Sequence, residues 1–160
     1  TLMVAVSNTS PLVLLDKAGY LWILEKLFKK IIIPPAVDME WLRPGGYAVP
    51  QWLSVAALSQ DALTTAKDLS QKIDKGEAEA IALFSSIKAD WLLLDDLNGR
   101  RIAKAMGLPV VGTLGILITA KRKGIISEIT AVLELLKQHR FYVSDEILQK
   151  ALILANETKK

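Results

Sequence analysis

Four short, almost purely apolar segments alternate with helical segments along this chain of 160 residues. They cover residues 3–7, 30–33, 91–94 and 109–111, and each is followed by polar or turn-forming residues. Apolar runs of this kind are typical of strands buried on both faces of a parallel sheet. Residues 52–58 fit a further strand at an edge. We therefore predict an α/β fold with a central, mainly parallel sheet of four to five strands and helices on both faces.

The segments between these strands carry the start and stop signals of helices, such as the Ser10-Pro11 pair and Gly107. No internal repeat or linker interrupts the pattern, so we predict a single domain over residues 1–160, with 157–160 as a disordered tail. Helices are predicted over residues 11–17, 20–28, 35–42, 61–72, 75–88, 98–106, 113–123, 126–139 and 144–156.

Composition excludes several classes of protein. The chain has no cysteine, which rules out disulfides, thiolate metal sites and a cysteine nucleophile. Its apolar runs are shorter than the roughly 20 residues of a membrane span, and its start lacks the pattern of a signal peptide. We expect a cytoplasmic protein that does not contact membrane. The net charge of +3 is compatible with a phosphate-bearing partner.

Acidic and amide side chains follow the ends of the predicted strands. Asn8 comes directly after the first strand, and Asp95 and Asp96 come after the third. Glu40 lies in the helix after the second strand, and Glu77 opens the helix that precedes the third. Because the carboxyl ends of parallel strands meet at one edge of a sheet, these side chains can converge there.

A cluster of carboxylates needs a cation to offset its repulsion. Oxygen ligands favour Mg²⁺ or Mn²⁺, which activate water and stabilise charge on a reacting phosphate. His139 is the chain's one histidine and falls at a polar helix end, so a histidine-based zinc site lacks ligands.

Each acid also has a purely structural alternative. Residues 74–77 match a helix capping box, which would make Glu77 a capping residue. Asp95 or Asp96 would cap the helix that follows, and Glu40 would lie on a solvated helix face. Glu79 is a second choice for Glu77, but residues two apart on a helix face nearly opposite ways, so one ion is not expected to contact both.

Basic residues follow the last acids. Arg100, Arg101 and Lys104 are candidates for binding RNA phosphate beside the acidic site. The alternative is that they are ordinary solvated helix residues. Residues 121–123, also basic, are better explained as the end of a helix.

Five segments together resemble the motifs of PIN-domain proteins, in the order expected for that family. They look like the branch classed as a domain of unknown function and linked to VapC-type toxins, over about residues 3–155. The segments are 6–12 (VSNTSPL), 33–40 (IPPAVDME), 76–81 (GEAEAI), 94–96 (LDD) and 112–115 (GTLG).

The resemblance implies a three-layer α/β/α fold with a metal-dependent ribonuclease pocket. Carried over by position, Asn8 takes the place of the first acid, Glu40 the second and Asp96 the fourth, with Asp95 as its neighbour. Glu77 is our choice for the third acid, since Asp96 follows it by 19 positions. The accessory polar residues of the pocket would be Thr9, Ser10 and Thr113.

Asn8 departs from the family pattern, because an amide offers a metal an oxygen but no charge. The first hypothesis is accordingly a Mg²⁺- or Mn²⁺-dependent endoribonuclease, as a toxin of a toxin–antitoxin pair. The second is a weak or inactive PIN-like module that binds RNA or an antitoxin. A signalling receiver domain is a third reading, but it would want its acidic pair after the first strand, where Asn8 stands. The resemblance also implies a homodimer and a small antitoxin protein as partner.

Overall fold

The computed structural model describes residues 3–46 and 48–157. Its centre is one five-stranded sheet in the order β3-β2-β1-β4-β5, and every neighbouring pair is parallel. This confirms the predicted α/β class and the parallel sheet. The strands are β1 (Met3–Ser7), β2 (Phe28–Ile33), β3 (Leu53–Val55), β4 (Trp91–Leu93) and β5 (Val110–Val111).

Helices connect the strands and cover both faces of the sheet. A π-helical turn, Asp38–Leu42, joins the third and fourth helices into one continuous helical stretch. The helices are α1 (Thr9–Lys17), α2 (Trp22–Leu27), α3 (Pro35–Val37), α4 (Arg43–Gly45), α5 (Gln60–Leu69), α6 (Lys75–Ile87), α7 (Leu97–Ala105), α8 (Thr113–Arg122), α9 (Thr130–Lys137) and α10 (Asp145–Leu154).

Alternate strand residues belong to two separate hydrophobic cores, one on each face. Ala5 and Leu93 pack into the core built with α1, α2, α8, α9 and α10. Val6 and Leu92 pack into the core built with α6 and α7. Alternation is what a pleated strand imposes on its side chains. The result is the predicted arrangement of helix layers on both sides of a sheet.

Several element boundaries differ from prediction. β2 begins at Phe28 rather than at residue 30, because the exposed Lys29 and Lys30 conceal the start of the strand. α9 begins at Thr130 rather than at residue 126, since the buried Ile126 and Ile129 lie in bends before the helix.

The C-terminal end of the described chain is held by one carboxylate. Glu157, predicted as the start of a disordered tail, accepts hydrogen bonds from the backbone N–H groups of Ile129 and Thr130, the Thr130 hydroxyl and the Lys121 ammonium. Burial alone would raise the pKa of Glu157, but these bonds lower it below its usual value. Residues 158–160 of the predicted tail lie outside the described residues. No helix in the described ranges is long and apolar enough to cross a membrane.

Candidate functional site

A cavity of about 340 Å³ lies at the edge of the sheet where β1 ends. Strand order reverses between β1 and β4, the place where parallel sheets open a crevice for ligands. We call this cavity the acidic cleft, because one side is lined by Asn8, Glu40, Asp74 and Glu77. Asn8, Glu40 and Glu77, which were predicted to converge, therefore line one cavity.

The side chains of Asn8 and Glu40 both lie next to Gly76, which has no side chain of its own. A Cβ placed on Gly76 would lie 3.1 Å from Asn8 Oδ1 and 3.1 Å from Glu40 Oε1. The Thr9 hydroxyl donates to Glu40 Oε2 at 2.6 Å, which fixes the carboxylate against α1. Gly76 thus leaves the space in which two oxygen donors from distant segments come together.

Glu77 combines a capping role with an unsatisfied oxygen. Its Oε1 accepts the Asp74 N–H at 3.1 Å, as in the predicted capping box. Its Oε2 is buried next to Gly99, and no donor in the described part of the chain reaches it. A hydrogen bond with the neighbouring Asp96 carboxylate requires a proton on one of the two acids. Burial, and then the neighbouring Asp96 carboxylate, raise the pKa of Glu77 to about 7 against the lowering effect of the Asp74 N–H. A buried oxygen without a donor is costly unless a proton or cation binds it.

Asp96 lies beside Glu77 but does not line the cavity. Its Oδ2 accepts the Gly99 N–H at 2.9 Å, so it also caps α7.

Both carboxylate oxygens of Asp95 accept hydrogen bonds. Its Oδ1 accepts the Thr113 N–H at 2.7 Å, and its Oδ2 accepts the Thr113 hydroxyl at 2.6 Å and the Ser10 hydroxyl at 3.4 Å. Asp95, Ser10 and Thr113 therefore tie together the starts of α1 and α8.

Glu79, the second choice for the third acid, lies elsewhere. It is 7% exposed, and its Oε1 accepts the Ala36 N–H at 2.9 Å in the first turn of α3. Its other oxygen is 4.0 Å from the Lys75 ammonium. Glu79 does not line the acidic cleft, so the structure brings Glu77 and not Glu79 to Asn8 and Glu40.

The basic residues predicted to bind phosphate are also outside the cleft lining. Arg100 donates from Nη1 to the Leu94 carbonyl at 3.3 Å, and Arg101 donates to Asn98 at 3.5 Å. Lys104 is exposed on α7. These contacts agree better with the structural alternative for Arg100 than with a free phosphate-binding group.

Sequence analysis missed two basic residues that line the acidic cleft, Lys17 and His139. Helical periodicity from Thr9 would have indicated Lys17, which lies eight positions later on the same helix. No local signal indicated His139, because its position depends on how α9 packs against α1.

Donor chemistry decides whether a divalent ion suits this site. Within residues 3–46 and 48–157, no three histidine, aspartate or glutamate side chains are grouped closely enough to hold a metal. The unsatisfied Glu77 oxygen beside Asp96 does fit a cation, and Asn8 and Glu40 add a neutral and a charged oxygen to the lining of the same cavity. Mg²⁺ is commonly held by one or two carboxylates and several waters. The residues present therefore fit a hydrated Mg²⁺ or Mn²⁺ ion rather than one enclosed by protein.

Comparison with known proteins gives one result. A family model described as DUF3368, PIN domain, matches residues 4–157, which is nearly the whole chain. No curated protein matches the chain.

Proposed function

The chain belongs to the PIN-domain family, and from this premise we propose that it is a Mg²⁺- or Mn²⁺-dependent endoribonuclease. The fold is the five-stranded parallel α/β sheet of such a domain, and PIN domains commonly bind RNA. The receiver-domain reading is set aside by the family match.

One observation carries the proposal. Glu77 lines the cleft, and its Oε2 is buried beside a second carboxylate without a hydrogen-bond donor. A purely structural carboxylate would have both oxygens satisfied, as Asp95 does. One buried oxygen kept without a donor beside a second carboxylate, at the ligand-binding edge of a parallel sheet, supports a bound cation.

The chain's own residues would divide the work in the following way. Glu77 and Asp96 would hold the cation, and Asn8 and Glu40 would orient its water ligands. Thr9 keeps the Glu40 carboxylate in place, and Gly76 keeps the space between Asn8 and Glu40 open. A divalent ion bound there would supply an activated water and offset charge on the phosphate.

The test is cleavage of a mixed RNA pool with Mg²⁺, with Mn²⁺ and with chelator. We expect cleavage by the parent that chelator abolishes, and strongly reduced cleavage by Asp96→Asn. Mn²⁺ should also raise the thermal midpoint of the parent, because an ion bound only by the native state stabilises it. Cleavage that persists in chelator, or that is unchanged in Asp96→Asn, would show that the proposal of a metal-dependent nuclease is wrong.

A second candidate function rests on Asn8. With an amide in place of the first acid, the protein would be a weak or inactive module that binds RNA or an antitoxin without cutting. It predicts RNA binding without cleavage under all three metal conditions, and no Mn²⁺-dependent shift of the thermal midpoint.

Toxin activity, a small antitoxin partner and a homodimer are further parts of the proposal. The resemblance to VapC-type chains supports all three parts. A groove of about 480 Å³ beside Asp95, lined mainly by apolar residues, supports the two contacts with protein. Leu97 and Tyr142 in this groove are 75% and 74% exposed, which is typical of a contact surface for protein. Growth arrest on expression would support the toxin, and mass from light scattering would test the dimer.

A further inference from the structure

We propose that Lys17 and His139 form a second binding site for phosphate in the acidic cleft, which takes a backbone phosphate of single-stranded RNA that flanks the cleaved one. The inference rests on the proposed function, because it assigns RNA to the same cleft. It differs in the residues used, none of which belongs to the acidic side.

The geometry comes from α1, which runs along the cleft. Thr9, Ser10, Val13, Leu14 and Lys17 all line the cavity, so one face of the helix forms its wall from end to end. From Thr9, which holds Glu40, to Lys17 the helix rises about 12 Å at 1.5 Å per residue. This length is well above the roughly 3.4 Å axial rise per nucleotide of a stacked strand, so Lys17 lies more than one nucleotide step from Thr9. Lys17 is therefore placed for a flanking phosphate rather than for one beside Thr9 and Glu40.

His139 reaches the same cleft from a different helix. α9 ends in a tight turn in which the Phe141 N–H bonds the Leu136 carbonyl at 3.1 Å and Arg140 N–H bonds the Lys137 carbonyl at 3.1 Å. Arg140 has a positive φ of 64°, the left-handed conformation that ends many helices. This turn fixes the backbone of His139 where α9 packs against α1, and the side chain lines the cavity.

Both side chains are available to a ligand. Lys17 and His139 are exposed, and within the described ranges neither side chain makes an ion pair or hydrogen bond. They share a cavity of about 340 Å³ with Asn8, Glu40 and Glu77. Lysine donates to phosphate as a compact cation, and an imidazole offers ring N–H donors. The cleft thus carries acidic side chains near the start of α1, and Lys17 at the end of α1 and His139 add donors to the same cavity.

The volume of the cleft and the chemistry of its wall indicate that the bound RNA is single-stranded. A cavity of this volume has the size of a small-molecule pocket and does not admit a duplex. Val13 and Leu14, partly exposed between the two ends, offer an apolar surface against which a sugar or base can pack.

Binding of a fluorescent oligouridylate of about eight nucleotides tests the site. Anisotropy is measured in chelator and again with Ca²⁺, over a range of salt concentrations. Lys17→Met should weaken binding roughly threefold or more and reduce the salt slope by about 0.7, the loss of one phosphate contact on a single strand. His139→Ala should weaken binding, and His139→Gln, which keeps a donor, should restore part of it. Lys26→Met is the matched control, because Lys26 is also an exposed lysine in the last turn of a short helix.

A second measurement identifies the phosphate. Oligonucleotides that carry one neutral methylphosphonate linkage are compared, position by position, with the fully charged strand. At one position, the neutral linkage should weaken binding to the parent but leave binding to Lys17→Met unchanged. A merely structural role of Lys17 would not produce this dependence of one change on the other.

Equal binding by the parent, Lys17→Met and His139→Ala would overturn the proposal, as would absence of binding by the parent in both conditions. The two proposals fail separately. Weakened binding by Lys17→Met without RNA cleavage by the parent supports this site and contradicts the nuclease. Metal-dependent cleavage by the parent, with RNA binding unchanged in Lys17→Met and His139→Ala, supports the nuclease and contradicts this site.

Discussion

Glu77 and Glu79 are two positions apart on α6, and their carboxylates serve different parts of the molecule. Glu79 accepts the Ala36 N–H in the first turn of α3, whereas Glu77 lies on the acidic cleft beside Asp96. The helix geometry separates them, since residues two apart project from nearly opposite sides. One carboxylate thus anchors a neighbouring helix, while the other lines the acidic cleft with one oxygen that no donor reaches.

The first prediction separates these roles. Glu79→Ala leaves the buried Ala36 N–H without its acceptor, so we expect the free energy of unfolding to fall by about 1–3 kcal/mol. The rise in thermal midpoint on adding Mn²⁺ should remain. Glu134→Ala is the control, because Glu134 is 65% exposed and its loss should change stability by less than about 0.5 kcal/mol. A loss of the Mn²⁺ response in Glu79→Ala would contradict the assignment.

The second prediction concerns pH. The pKa of Glu77 is raised to about 7, above its usual 4.5, so the native state favours the protonated form. Its contribution to stability is fully present below pH 4.5 and is lost as the pH rises through 7. Relative to Glu77→Gln, the parent should lose about 3 kcal/mol of unfolding free energy from well below pH 4.5 to well above pH 7, at 1.36 kcal/mol per pKa unit, and most of this loss falls between pH 5 and pH 8.

Urea unfolding of both proteins at pH 5 and pH 8, in chelator, measures this difference. Gln keeps the acceptor for the Asp74 N–H, so the comparison isolates the titrating carboxylate. Parallel pH profiles of the two proteins would contradict the raised pKa.

The third prediction concerns Asn8→Asp. The new carboxylate would lie at most about 6 Å from Glu40, so repulsion should lower stability by about 1–3 kcal/mol in chelator. With Mn²⁺ bound, the substitution should instead raise stability, because the added negative charge faces a cation. We expect tighter Mn²⁺ binding by calorimetry and faster RNA cleavage than in the parent. Destabilisation with no gain in either measurement would favour the non-catalytic module.

The fourth prediction concerns Gly76→Ala. The new Cβ would lie 3.1 Å from both Asn8 Oδ1 and Glu40 Oε1, so these side-chain ends must move by a few tenths of an ångström. Both are ends of side chains, and alanine favours the helix, so stability should change by less than about 1 kcal/mol. Mn²⁺ binding and RNA cleavage should fall. Lys75→Ala, one position earlier, should leave both unchanged.

The sequence determined the fold class and the positions of the strands. Apolar runs in 3–7, 30–33 and 91–94 predicted the central strands because a strand buried on both faces must be apolar at every position. Boundaries were less certain where polar residues lie inside an element. Lys29 and Lys30 belong to β2 although their side chains are exposed, since backbone pairing with β1 extends the strand past them.

The segments that contribute to the candidate site could also be predicted, because parallel strands end at a common edge. The motif resemblance placed Asn8, Glu40, Glu77 and Asp96 in one pocket. The structure brings the first three to one cavity, whereas Asp96 lies beside Glu77 outside the cavity lining. Their roles in metal binding and catalysis stay predictions.

Tertiary structure alone decided which oxygen is left unsatisfied. Sequence could not distinguish Asp95 from Glu77, since both are acids near a strand end. Packing of α8 brings the Thr113 N–H and hydroxyl to Asp95 and satisfies it, while Glu77 Oε2 is enclosed beside Asp96 without a donor. Likewise, His139 reaches the cleft only because α9 packs on α1. Local patterns specify which elements form, but long-range packing specifies which polar atoms find partners.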